Sequence, residues 1–157
     1  MTTDPATPNP SPCITLFTVG FTGKTAKDFF ETLKLSGVRR VVDIRLNNVS
    51  QLAGFTKKRD LEYFLRVIAD INYVHERDLA PTKEILDDYK KKRIDWNEYE
   101  NRYRRLIEER QPAKGLKPED FDRACLLCSE PTAEHCHRRL AAEYLNEAWG
   151  NVTIVHL

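Results

Sequence analysis

No stretch of this chain is apolar for long. The longest unbroken hydrophobic run is Ala124 to Cys128, far short of the ~20 residues that a membrane-spanning helix needs. Neither charge is in excess: 25 Lys and Arg stand against 24 Asp and Glu, a formal net charge of +1. Bulk charge is therefore no argument for nucleic acid or a membrane surface, and only local patches remain. The amino-terminal residues have neither a basic start nor an apolar stretch, so no secretory leader is expected. Four cysteines, Cys13, Cys125, Cys128 and Cys136, in 157 residues are too few for a disulfide scaffold. They read as reduced thiols or ligands, which points to a cytoplasmic protein.

What is present is globular composition, 41% hydrophobic, 31% charged and 10% aromatic. Residues 1–13 hold four of the eight prolines and almost no bulky side chain. Burial cannot repay the ordering of such a segment, so a disordered tail is expected there, followed by one domain over 14–157. Strand and helix signals then alternate. Ile14 to Val19, Arg39 to Ile44, Asn72 to His75, Ala124 to Cys128 and Val152 to His156 read as strands. Thr25 caps a helix with Phe29, Phe30 and Leu33 inward. Thr56 or Asp60 starts another, carrying Leu61, Phe64, Leu65 and Ile68 at helical spacing. Further helices are expected near Thr82–Lys92 and over Asp95–Arg110, the latter burying Trp96, Tyr99, Tyr103, Leu106 and Ile107. A last helix runs from an N-cap at Thr132 to about Ala148. The expected fold is α/β: a three-layer sandwich whose mostly parallel sheet of about five strands is flanked by helices. Ligands of such sheets sit beyond the carboxyl ends of the strands.

Three segments meet that criterion. Between the first strand and helix, Thr18-Val-Gly20-Phe-Thr22-Gly23-Lys24-Thr25 is too short between its glycines to be a triphosphate-binding loop. Thr22 and Lys24 at a helix start still make a candidate anion site, the alternative being a tight strand-to-helix turn. At the end of the second strand, Asp43-Ile-Arg45 puts both charged residues on one side. There Asp43 can orient Arg45 toward a phosphate or carboxylate, or the pair can merely pin the following loop.

The third and richest segment runs from Cys128 through Ser129-Glu130-Pro131 to Cys136-His137-Arg138-Arg139. Helical spacing turns His137 to the sheet, with Cys136 and Arg138 flanking it, while His135 and Arg139 point outward. Thiols near a helix start and cations are candidate nucleophiles. A zinc site on Cys128, Cys136, His137 and His135 is the second reading, and inert core thiols the third. Cys125 faces the opposite side of its strand and reads as core. Neither Cys128 nor Cys136 has the Cys followed by five residues and Arg of a tyrosine phosphatase. His75 ends a strand and is a candidate acid or base. Lys90 to Arg93 with Arg102, Arg104 and Arg105 interleave with aromatics, as single-stranded nucleic acid requires. However, residues 83–110 carry nine basic and eight acidic side chains, the balance of a solvated face.

Taken in order, Thr18-Val-Gly20 with Thr22, Val42-Asp43-Ile-Arg45, Gly54-Phe-Thr-Lys57, Tyr73-Val-His75, Leu126-Leu-Cys128-Ser-Glu130 and Cys136-His137-Arg138 resemble the domain of unknown function 488 family. The resemblance spans nearly all of Ile14 to Leu157. It implies a compact α/β fold and marks Asp43, Arg45, His75, Cys128, Glu130, Cys136, His137 and Arg138, but it brings no activity with it. The chain departs from the family pattern at Leu46-Asn47-Asn48-Val49-Ser50 and at Glu76-Arg77-Asp78.

The functional expectation is a pocket for an anionic, phosphate-bearing ligand, a nucleotide or nucleic acid among the possibilities, with thiol-dependent catalysis. In it Arg45 and Arg138 hold the anion, Cys128 or Cys136 supplies the thiol, His137 or His75 carries a proton, and Glu130 stands at the rim. No cofactor is expected. The alternatives are a non-catalytic nucleic-acid-binding module on helices 83–110 and a zinc-stabilised structural domain.

Overall fold

Side-chain branching and burial separate the elements. A computed structural model describes residues 13–49 and 54–157; the expected tail therefore lies, Cys13 apart, outside the described residues. The strands are β1 (Ile14–Gly20), β2 (Arg40–Asp43), β3 (Asn72–His75), β4 (Ala124–Cys128) and β5 (Val152–His156). All pair in parallel in the order β3-β2-β4-β1-β5. β4 is buried at every position, as a central parallel strand must be. The helices are α1 (Ala26–Leu35), α2 (Lys58–Ala69), α3 (Lys83–Lys90), α4 (Trp96–Arg110) and α5 (His137–Trp149).

Two apolar cores lie on opposite faces of the sheet. Phe29, Phe30 and Leu33 of α1 and Leu61 and Leu65 of α2 pack with Val19, Val41, Cys125 and Leu127. On the other face Ile85 of α3, Tyr99, Tyr103 and Ile107 of α4, and Leu140 and Leu145 of α5 pack with Leu16, Val42 and Leu126. The fold is a three-layer α/β sandwich. No helix is long and apolar enough to cross a membrane among the described residues.

Thr25, Thr82 and Asp95 cap α1, α3 and α4, each accepting from a backbone N–H three residues on. Two helix starts differ from expectation. α2 begins after Lys57, because Thr56 is held in a 3-10 turn, buried, with its carbonyl accepting from Arg45. α5 begins after Cys136 rather than Thr132. Residues 129–136 stay outside the helix because the Ser129 carbonyl accepts from the Thr22 N–H and the Glu130 carbonyl from Arg138. Ile68, expected inward, is 47% exposed; α2 fills its face with Leu61 and Leu65 before reaching it. Trp96 and Leu106 are only partly buried, since the deep positions of α4 are taken by Tyr99, Tyr103 and Ile107.

Candidate functional site

The strand register gathers the site. Asp43 stands opposite both Leu127 and His75, and Gly20 opposite Cys128 one residue further on, so Gly20, Asp43, His75 and Cys128 all lie at the carboxyl ends, in two adjacent rows. The chain leaves β1 and β2 for α1 and α2 on one face, but leaves β4 for α5 on the other. Connections that part in this way open a crevice beside β4.

Cys128 ends β4 in that crevice, with its Sγ 3.4 Å from Nδ1 of His137. Nε2 of the same ring lies 2.8 Å from the Ile44 carbonyl. A carbonyl only accepts, so Nε2 carries a proton and Nδ1 is the atom that exchanges one with Cys128. The Cys136 thiol hydrogen-bonds Cys128 and, with His137 beside it, holds the Cys128 thiol well below its ordinary value although burial opposes this. The same bond, together with burial, pushes the Cys136 thiol up. Burial alone would lower His137, but the charge and hydrogen bond of Cys128 outweigh it and raise the imidazole. The three directions favour a thiolate at Cys128, an imidazolium at His137 and a protonated thiol at Cys136.

Arg138 is 1% exposed and has no carboxylate partner among the described residues. Its Nε donates to the Thr18 hydroxyl at 3.3 Å, and its Nη1 donates to the Glu130 carbonyl at 2.5 Å and to Cys136 Sγ at 3.6 Å. It thus faces β1 and the thiols, and it binds the 129–136 loop to the sheet. Gly20 makes room for this: a Cβ there would fall 1.6 Å from the Glu130 carbonyl oxygen and 2.7 Å from Arg138 Nη1.

Asp43 is fully buried and satisfied four times. It accepts from the Arg45 backbone N–H and Nε through Oδ1, at 3.1 and 2.9 Å, and from Arg45 Nη2 and the Tyr73 hydroxyl through Oδ2, at 2.8 and 2.6 Å. The Arg45 guanidinium also lies 5.3 Å from the Phe21 ring centroid. Its Nη1 is buried without a hydrogen-bond partner among the described residues. An orphaned buried donor on a cation calls for an explanation.

Arg45, Cys128, Cys136, His137 and Glu130 line one pocket of about 200 Å3, walled by Tyr89, Trp96 and Tyr99 and bordered by Lys90. Burial and the nearby Cys128 charge raise the Glu130 carboxyl. Trp96 stacks on Tyr99 and on His135, the ring centroids 4.9 and 5.1 Å apart. Among the described residues, Cys128, Cys136 and His137 are the three donors close enough to share a metal ion, their ligand atoms all within 4.8 Å of one another. Tetrahedral zinc would need a fourth ligand from outside this group.

The other expected residues lie elsewhere. Thr22 and Lys24 do not line the pocket; the backbone of Thr22 ties β1 to Ser129. His75 donates from Nε2 to the Arg45 carbonyl at 2.8 Å, bracing the turn after β2. Cys125 belongs to the α1–α2 core, and burial pushes its thiol up. On the basic helices, Arg93 and Arg102 pair with Asp88, and Arg104 with Glu100 and Glu143. Sequence reasoning missed Tyr73, which the two-residue period places on the side of His75. It also missed the aromatic wall, which no local spacing reveals.

A family model, "Domain of unknown function DUF488", matches residues 25–145. No curated protein and no solved structure matches the chain.

Proposed function

Because the chain belongs to the DUF488 family of domains of unknown function, which lends no activity, we propose its function from the pocket itself: it binds a small anionic ligand and acts on it through the Cys128 thiolate. The observation that carries this reading is Nη1 of Arg45, a residue that lines the same pocket as Cys128; the atom is buried and has no hydrogen-bond partner among the described residues. Its fellow nitrogens are fixed by Asp43 and Thr56, so the guanidinium is preorganised to donate to a ligand oxygen.

The chemistry follows from the neighbours. A buried thiolate beside an imidazolium is a nucleophile already activated. The Cys136 thiol and the Glu130 backbone stabilise its charge, and Nδ1 of His137 holds the proton a leaving group would take. His75 and Arg138 thereby become positioning residues, and Glu130 a carboxyl at the mouth. About 200 Å3 is below the ~300–1,000 Å3 of drug-sized ligand sites. That favours a small carboxylate- or phosphate-bearing molecule over a whole nucleotide.

Competitive alkylation tests this reading. Cys128 should react with iodoacetate at pH 6 faster than the exposed Cys13, and inorganic phosphate should slow Cys128 alone. An unreactive Cys128, or one indifferent to phosphate, would overturn it.

A further inference from the structure

Cys136 does more than hydrogen-bond the Cys128 thiolate, for its place is specific. The Sγ atoms of Cys128 and Cys136 and Nδ1 of His137 all lie within 4.8 Å of one another, in three buried side chains. A disulfide needs its sulfurs at about 2.05 Å, so closure asks for a shift of at most ~3 Å. Cys136 lies just outside the helix, and closure would have to break only its Sγ contact with Arg138 Nη1 and its hydrogen bond to Cys128. It sits at the N-cap of α5 in extended backbone, φ −142° and ψ 138°, at the end of a segment that is neither helix nor strand. Cys125, the other thiol of β4, lies in the opposite core and cannot compete.

We propose that Cys136 is a resolving thiol and that the pocket reduces a small anionic disulfide, an inference that rests on Cys128 being the nucleophile. The Cys128 thiolate attacks one sulfur of the substrate, whose S–S bond breaks as the Cys128–substrate mixed disulfide forms. The departing thiolate takes the proton from His137 Nδ1 and leaves as a thiol. Cys136 then attacks the Cys128 sulfur, its proton passing through His137 to the second leaving thiolate. The substrate gains two electrons and two protons and leaves as two thiols; the protein keeps a Cys128–Cys136 disulfide, which an external dithiol reduces. The site holds this inventory at the outset, two thiol sulfurs with one proton on His137 and one on Cys136. The anionic end of the substrate meets Arg45 and Lys90, and its body the rings of Tyr89, Trp96 and Tyr99.

The test uses 5,5′-dithiobis(2-nitrobenzoate), an anionic aromatic disulfide, on reduced Cys13→Ser protein. The expected result is release of two nitrothiobenzoate equivalents per chain, a product lighter by two hydrogens, and a Cys128–Cys136 cross-linked peptide. Cys136→Ser and Cys136→Ala should each stop after one equivalent, with the adduct held on Cys128. A stable adduct on Cys128 with Cys136 intact would overturn the resolving role while leaving the nucleophile standing. No release from Cys128 would overturn both readings. Faster cross-linking by hydrogen peroxide than by the disulfide at equal concentration would overturn the substrate class.

Discussion

His137 is bonded at both ends of its ring: Nε2 donates to the carbonyl of Ile44 at 2.8 Å, and Nδ1 faces Sγ of Cys128 at 3.4 Å. The backbone just past β2 thus sets the tautomer of a histidine on α5, and the histidine sets the charge of a cysteine on β4.

If that relay lowers the Cys128 thiol, His137→Asn raises it again. Each unit of rise removes about tenfold of the thiolate at pH 6. The alkylation–pH profile of Cys128 should therefore move to higher pH by at least that much. An unmoved profile would show that His137 does not hold the thiolate.

The same pair predicts how stability depends on pH. Cys128 is depressed from 9.0, so its contribution is complete above 9.0 and is lost as pH falls toward its folded value. His137 is raised from 6.5, so its contribution is complete below 6.5 and is lost as pH rises through its folded value. Within 6.5 to 9.0 the two slopes oppose each other, giving a plateau bounded by the loss from Cys128 on the acid side and the loss from His137 on the alkaline side. The urea midpoint difference between native protein and Cys128→Ser should trace that plateau. A difference independent of pH from 5 to 10 would contradict it.

Breaking the Asp43–Arg45 pair should be costly, because one buried charge would be left alone. Asp43→Ala should lose about 3–5 kcal/mol of unfolding free energy. Tyr73→Phe, which removes one donor from a charged acceptor, should lose only ~1–3 kcal/mol. Equal losses in chemical denaturation would mean that the ion pair is not what holds the turn.

Gly20→Ala places a methyl group on the Glu130 carbonyl. Overpacking of this kind costs ~1–3 kcal/mol, and here the 129–136 loop must also give way. The Cys128 alkylation rate should fall together with stability. A stable variant with unchanged reactivity would mean that the loop can move without the thiols.

Freshly reduced protein should have the same mass under native and denaturing conditions, and added zinc should suppress Cys128 alkylation by occupying the cluster. A stoichiometric native excess matching zinc would convert the cluster into a metal centre and remove the nucleophile.

Much of the architecture was legible because it rests on local patterns. Uninterrupted apolar strands, capping side chains at Thr25, Thr82 and Asp95, and the inward face of α1 all follow from spacing. The inward turn of His137 was legible for the same reason, even though its helix starts later than Thr132. What could not be read depends on partners remote in sequence. Nothing near Thr132 announces that Arg138 and Thr22 will bind the loop before a helix can form. Likewise, only the packing of α4 against 128–137 reveals that Trp96 walls a pocket and that Tyr99 does so while also filling the core. Arg138 illustrates both cases: its marking as a polar site residue was apparent, but its orientation toward β1 was not.

The strand order has a consequence for the timing of assembly. β4 lies between β1 and β2, and its pairing joins Phe17 to Cys125, about a hundred residues away. Such contacts close late, since long chain loops must form before any pairing rewards them. Until β4 is inserted, nothing joins β1 to the β2–β3 pair, and Cys128 has neither the Ile44-anchored ring nor the helix start beside it. Its thiol therefore stays as inert as any in a nascent chain. If Cys128 is the nucleophile proposed above, its reactivity becomes a late event of folding, and a chain that has not finished its sheet does not yet carry it.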